Sequence, residues 1–189
     1  MGIANSISKR KPVYGVGITD AEYCIQPRVN GEHTSCPFYA CWIAMLRRCY
    51  SKKFQDRRPT YIGCKVCDEW HSFIAFKSWM ELQDWRGKQL DKDLIGDGKL
   101  YSPHNCVFVS QALNVFFLDS GATRGDYPIG VCWNTQKGKF MATIRVNGKR
   151  KHLGLFISAV QAHEAWRKVK LELADAFLAN ETNPRVRYA

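Results

Sequence analysis

From Pro37 the apolar residues Tyr39, Trp42, Ile43, Met45 and Leu46 return at helical spacing, with Arg47 and Arg48 near the end, and Pro37 suits a first turn. The pattern predicts an amphipathic helix. A second is predicted from about Asp68 to Leu82, where Trp70, Phe73, Phe76 and Trp79 fall three apart and form one aromatic face suited to a core. Between Gln89 and Asn114 the periodicity changes. Gln89-Leu-Asp-Lys-Asp-Leu, the glycine-rich Ile95-Gly-Asp-Gly, Tyr101-Ser-Pro-His-Asn, the apolar Cys106-Val-Phe-Val and the helix-like Gln111-Ala-Leu-Asn-Val-Phe-Phe read as strand, long loop, strand and helix. Beyond Tyr127 strand-like segments run from Ile129 to Trp133, Lys139 to Val146 and Arg150 to Leu153. Asn147-Gly148 lies between the last two, a hairpin signal because both central residues of that turn need positive φ. A long helix from about Ser158 to Leu178 closes the pattern. Its stripe of Val160, Trp166, Val169, Leu173, Ala176 and Phe177 can cover a three-stranded antiparallel sheet.

The fold class is therefore α+β, in two modules. Residues 1–35, rich in Gly, Pro and charge with Lys9-Arg-Lys-Pro near the start, read as a basic arm; residues 36–119 hold the helical region and the strand–loop–strand–helix unit. Residues 120–126 read as a linker, 127–180 as the sheet-and-helix module and 181–189 as a tail.

Hydrophobic residues make up 46% of the chain and aromatics 13%, enough to build a core, which excludes wholesale disorder. Lys and Arg total 28 against 17 Asp and Glu, a formal charge of +11, and the natural partner of that field is a polyanion. No run approaches the roughly 18 apolar residues of a membrane span, and Met1-Gly-Ile-Ala-Asn-Ser lacks an apolar signal core, so the expectation is a soluble cytoplasmic protein without a membrane partner. The eight cysteines run from Cys24 to Cys132, several inside apolar stretches, and read as reduced, buried thiols. Cys64-Lys-Val-Cys67 is the only close pair, and it lacks the second pair or histidines of a structural zinc site.

Asp91 at a strand end and Asn114 on the following helix can be folded toward each other by the hairpin between them. Two hard oxygen ligands would then suit Mg²⁺ (or Mn²⁺) shared with water and a phosphate oxygen. Arg48-Cys-Tyr50, Val66-Cys-Asp-Glu-Trp70, Leu90-Asp-Lys-Asp93 and Ser102-Pro-His-Asn-Cys106 stand in order ahead of Asn114. Over about residues 37–118 this set resembles the HNH nucleases, in particular the phage homing endonucleases. The resemblance implies a ββα-metal fold with Asp91 and Asn114 as metal ligands and Asn105 bracing the long loop. It implies a general base directly after Asp91, where the family has histidine and this chain has Lys92. Three routes to a base remain: a desolvated Lys92, His104 swinging in from the loop, or bulk solvent.

Gly130-Val131, Phe140-Met-Ala-Thr-Ile-Arg145, Leu153-Gly-Leu-Phe156 and the alanines at 159, 162 and 165 resemble the DNA-binding domain of plant ethylene-response factors, which also ends phage homing endonucleases. Strand alternation turns Ala142, Ile144 and Val146 toward the helix and Lys139, Met141, Thr143 and Arg145 outward, joined by Arg150 and His152. Such a sheet can lie in the major groove, where arginine reads guanine. Trp133, Lys137, Lys149 and Lys151 would add stacking or phosphate contacts. The resemblances imply a bacteriophage homing endonuclease acting on double-stranded DNA, nicking unless it forms a homodimer. The alternative is a catalytically degenerate relative serving as a DNA-binding regulator or architectural factor, and a third reading is an RNA-binding or virion protein.

Overall fold

A computed structural model of the chain describes residues 10–29, 31–34, 36–117, 126–146 and 148–188. It is α+β and divides into two units, the first running to Gln111 and the second from Ala112 to Tyr188. The expected linker falls almost entirely outside the described residues, as do Lys9 and Asn147.

In the first unit, α1 (Pro37–Tyr50) turns Trp42, Met45, Leu46 and Cys49 into the core, as the spacing requires. Arg47 and Arg48 sit in its last turn, where the helix dipole favours cations. α2 (Lys52–Arg57) follows at once, capped by Ser51, whose hydroxyl accepts the Phe54 N–H. The single helix expected over residues 68–82 is divided into a 3-10 turn, Asp68–His71, and α3 (Phe73–Glu81). Ser72 causes the break, since its hydroxyl accepts the Ala75 N–H and so starts a new helix. Asp20 completes the cap: Oδ1 accepts the Ile74 N–H and Oδ2 accepts the Ser72 hydroxyl. The aromatic face is core, as expected, with Trp70, Phe73 and Phe76 fully buried. Trp79 packs 4.5 Å from Trp70 and stacks on Phe108 at 5.8 Å.

The segment before α1, expected to be an arm, is packed over much of its described part. Ala21 is fully buried, and Val13, Val16 and Ile25 lie against the core. Gly17 comes so close to α1 that a Cβ there would stand 2.4 Å from Leu46 Cδ1. Arg10 ties the segment down, donating to the carbonyls of Thr19 and Ala21. These anchors have no period, which is why the pattern missed them. Two short strands, β1 (Arg28–Val29) and β2 (Glu32–His33), pair antiparallel just before α1.

The expected hairpin is present. β4 (Gln89–Asp91) pairs antiparallel with β6 (Val107–Val109), Asp91 lying opposite Val107, and α4 (Gln111–Phe117) begins one residue after Val109. The long loop between them contains one more strand, β5 (Leu100–Tyr101), parallel to β3 (Lys65–Val66). Two residues carry no readable alternation, so this pair was invisible in the sequence.

In the second unit β7 (Val131–Asn134), β8 (Lys139–Val146) and β9 (Lys149–Phe156) form a three-stranded antiparallel sheet in chain order, packed on α5 (Ala159–Asn180); a short α6 (Pro184–Arg187) follows. Ser158 caps α5 by accepting the Gln161 N–H. The covered sheet face is Ala142 and Ile144, and α5 contributes Ala162, fully buried, with Trp166, Val169 and Leu173 half-buried. Val160, expected in the stripe, is 68% exposed, because two residues before Ala162 is about 200° away around a helix. Ala176 is exposed too. Near the same end Phe177 meets Phe116 of α4 at 5.0 Å, and the Lys170 ammonium sits 3.4 Å over the Phe116 ring. Gly130 is required twice over: its φ is +82°, and a Cβ would stand 2.1 Å from the Trp166 indole. Among the described residues no helix is long and apolar enough to cross a membrane.

Candidate nuclease hairpin and nucleic-acid interface

Asp91 closes β4 with a buried side chain. Its Oδ1 accepts the N–H of Asp93 at 3.0 Å and of Leu94 at 2.8 Å, so the carboxylate fixes the start of the loop. Lys92, also buried, donates from Nζ to Asp93 Oδ1 at 2.6 Å and to the Gly98 carbonyl at 2.5 Å. Its ammonium lies 5.7 Å from the Tyr61 ring and 5.5 Å from that of Tyr101. Burial alone would lower the lysine pKa, but the bond to Asp93 and that carboxylate's charge outweigh it, and the net shift is upward. The bond to Asp93 thus opposes the neutral form that one of the three routes to a base requires. Lys92 is a charged brace across the loop.

Asn105 follows in the turn after β5, its N–H bonded to Ser102. A Cβ on Gly96 would stand 2.8 Å from Asn105 Cβ and 2.7 Å from the Lys92 carbonyl, so Asn105 buttresses the loop that Lys92 ties. His104 is exposed in the same turn. Asp91, Lys92 and Asn105 thus belong to one hairpin, whereas Asn114 lies on α4 within the second unit. Among the described residues no three His, Cys, Asp or Glu side chains form a group able to hold a metal ion. The donor type still fits a hard divalent cation: the Asp91 carboxylate accepts both N–H groups on Oδ1, and its second oxygen, Oδ2, is of the kind such an ion takes.

The thiols are of a different kind. No disulfide joins any of them, and burial pushes Cys49 and Cys106 up to about 12. Cys64 is buried and points at the carbonyls of Thr60 and Gly98.

On the sheet, the register fixes which side chains share the face away from α5. Thr143 stands opposite His152, Arg145 opposite Arg150, and Met141 opposite both Cys132 and Leu155. Lys139, Arg145, Arg150 and His152 are exposed and Thr143 is half-buried. A register shift between Ala142 and Thr143 lets β9 absorb Leu153 and still bring Arg150 against Arg145. Like charges directly opposite on adjacent strands cost stability, and Arg145 with Arg150 carries that cost on this face. Lys149 and Lys151 stand opposite Val146 and Ile144, in the register of the covered face, yet are exposed on the edge strand. Lys137 lies in the β7–β8 turn, where its N–H donates to Asn134 Oδ1.

Trp133 is 43% exposed. It pairs with Phe140 in the register of Ala142, on the helix side of the sheet, and meets the Phe140 ring edge-on at 4.8 Å. The outward positions of β7 are Cys132 and Asn134, which sequence reasoning missed because β7 alone does not reveal its register against β8. Exposed Cys24 and Cys132 are expected to react with a bulky maleimide in the native protein, and Cys49 and Cys106 only after denaturation, as mass spectrometry of labelled peptides would show. Rapid native labelling of Cys49 would contradict the core. Comparison of the chain with protein-family models, with curated proteins and with solved structures returned no match.

Proposed function

We propose that the chain is an HNH-type endonuclease that grips duplex DNA with the outer face of β7–β9 and hydrolyses a phosphodiester at the β4–β6 hairpin. The observation that carries the reading is the pairing of Arg145 with Arg150 beside Thr143, His152 and Lys139 on a face that α5 does not cover. Laid in the major groove, the arginines would read guanine edges while Lys139, Lys137 and Lys149 hold phosphates. Asp91, with Asn114 assigned from sequence order alone, would hold Mg²⁺ or Mn²⁺. When bound, that ion supplies positive charge against the developing charge of phosphodiester hydrolysis. Asp91 and Lys92 set the loop, and Asn105 buttresses it. His104 or bulk solvent would take the proton, since Lys92 is already charged.

That fixed charge on Lys92 also favours a second reading, a degenerate relative that binds DNA without cutting it and acts as a regulator or architectural factor. Incubation of the protein with duplex DNA and Mg²⁺ or Mn²⁺ separates the two. For the grip itself, Arg145→Ala with Arg150→Ala is expected to weaken duplex binding about 10- to 100-fold and to make its salt dependence shallower by about 2. Unchanged affinity across a salt titration by fluorescence anisotropy would remove the sheet from the interface.

A further inference from the structure

A second cationic surface lies in the first unit, made of residues given no role above. α2 presents Lys52, Lys53 and Arg57, and Arg58 leads into the 3-10 turn Pro59–Tyr61, all four exposed. Lys65 and Lys99 join them. Lys99 Nζ donates to the Ile62 carbonyl at 3.1 Å, and the Lys65 N–H donates to the Lys99 carbonyl at 2.8 Å. Arg47 closes the group from the end of α1, its guanidinium 5.1 Å over the Phe54 ring. Asp56 is the one acidic residue between Arg47 and Cys67.

Two lysines elsewhere in the same unit are neutralised within the chain. Lys77 pairs with Glu81 at 2.6 Å and Lys88 with Asp84 at 2.7 Å. Among the described residues, none of the ridge cations has such a partner. A cluster of unneutralised cations repels itself, and an external polyanion relieves that repulsion. The form of that polyanion follows from the aromatics beneath. Phe54 lies under Arg47, and Tyr61 lies under Arg48 at 5.9 Å, so the ridge offers guanidinium and ammonium groups rather than open rings on which unpaired bases could stack.

We propose that α2 and the turn after it form a second, sequence-independent contact with the phosphate backbone of duplex DNA. The proposal shares its partner with the reading above but does not depend on the β7–β9 face. The test is fluorescence anisotropy of the full chain on a random-sequence duplex over a series of NaCl concentrations. Lys53→Ala, Arg57→Ala and Arg58→Ala combined are expected to make the slope of log affinity against log salt shallower by about 2 to 3. Lys77→Ala with Lys88→Ala, which removes cations already paired, should leave the slope unchanged, and circular dichroism should show both variants folded. An unchanged slope in the ridge variant, an equal loss in the control, or a preference of the ridge for single strands overturns the proposal. If the ridge variant keeps its slope while Arg145→Ala with Arg150→Ala loses binding, only this inference fails. The reverse result retires the sheet face and keeps the ridge. A wild-type chain that does not bind duplex DNA at low salt removes both.

Discussion

Asp91→Asn is expected to fold like the wild type and to lose DNA cleavage by about 100- to 1,000-fold or more, whereas Asp91→Ala loses both cleavage and stability. The separation follows from the two oxygens. Oδ1 accepts the N–H groups of Asp93 and Leu94, and an asparagine oxygen in the same place can accept both. What asparagine cannot supply is the negative charge that a hard cation takes from the other oxygen. Alanine removes the acceptor as well, leaving two N–H groups at the mouth of a buried loop, at a cost of about 1–2 kcal/mol. Plasmid cleavage with Mg²⁺ or Mn²⁺ reads the first effect, and urea denaturation reads the second. Full cleavage by Asp91→Asn would sink the ligand role. Failure of the wild type to cut with either metal would leave the binding protein as the surviving reading.

The parts of the molecule legible in the sequence are those in which one period runs long enough to show itself. β8 is eight residues long, and its alternation placed Ala142 and Ile144 inward and Lys139, Thr143 and Arg145 outward before any register was known. α1 has fourteen residues, four turns of a face, and its buried side was read almost residue by residue. Short elements failed for the same reason. β3 and β5 have two residues each, and Ser72 looked like one more helical position until its hydroxyl was seen capping α3. No face could be assigned to Trp133, because a strand's faces are defined by its partner, and the partner register of β7 is set by hydrogen bonds that composition does not encode. The packed segment around Ala21 escaped because its anchors are an arginine bonded to carbonyls and a glycine too close to Leu46, neither of which is periodic.

The candidate site shows the same limit in its chemistry. The resemblance put Lys92 where the family has a histidine base, and a desolvated lysine was one of three routes to a proton acceptor. The fold adds what burial omits: the Asp93 carboxylate lies 2.6 Å away, and its hydrogen bond and charge, helped by Cys64 and Tyr61, favour the charged form more than desolvation opposes it, while the Gly98 carbonyl 2.5 Å away fixes the side chain. Local sequence was a poor guide because Gly98 reaches Lys92 through a loop whose path depends on Gly96 lying against Asn105.

Lys92→Met is therefore expected to destabilise the first unit by about 2–4 kcal/mol and to leave the shape of any cleavage–pH profile unchanged. Methionine fills nearly the same volume against Tyr61 and Tyr101, so the loss isolates the two charge-assisted hydrogen bonds from packing. Asp93 is largely exposed and regains water, which keeps the cost below that of breaking a fully buried pair. Because the folded pKa of Lys92 is raised above the unfolded value of about 10.4, its stabilisation is fully present below that pH and fades as pH rises through the folded value. The difference between wild type and Lys92→Met should accordingly stay flat from about pH 5 to 9 and narrow only in stronger alkali, as urea melts at a series of pH values would show. A difference that shrinks through the neutral range would mean that Lys92 loses its proton there, which would restore it as a candidate base and take away its role as the brace of the loop.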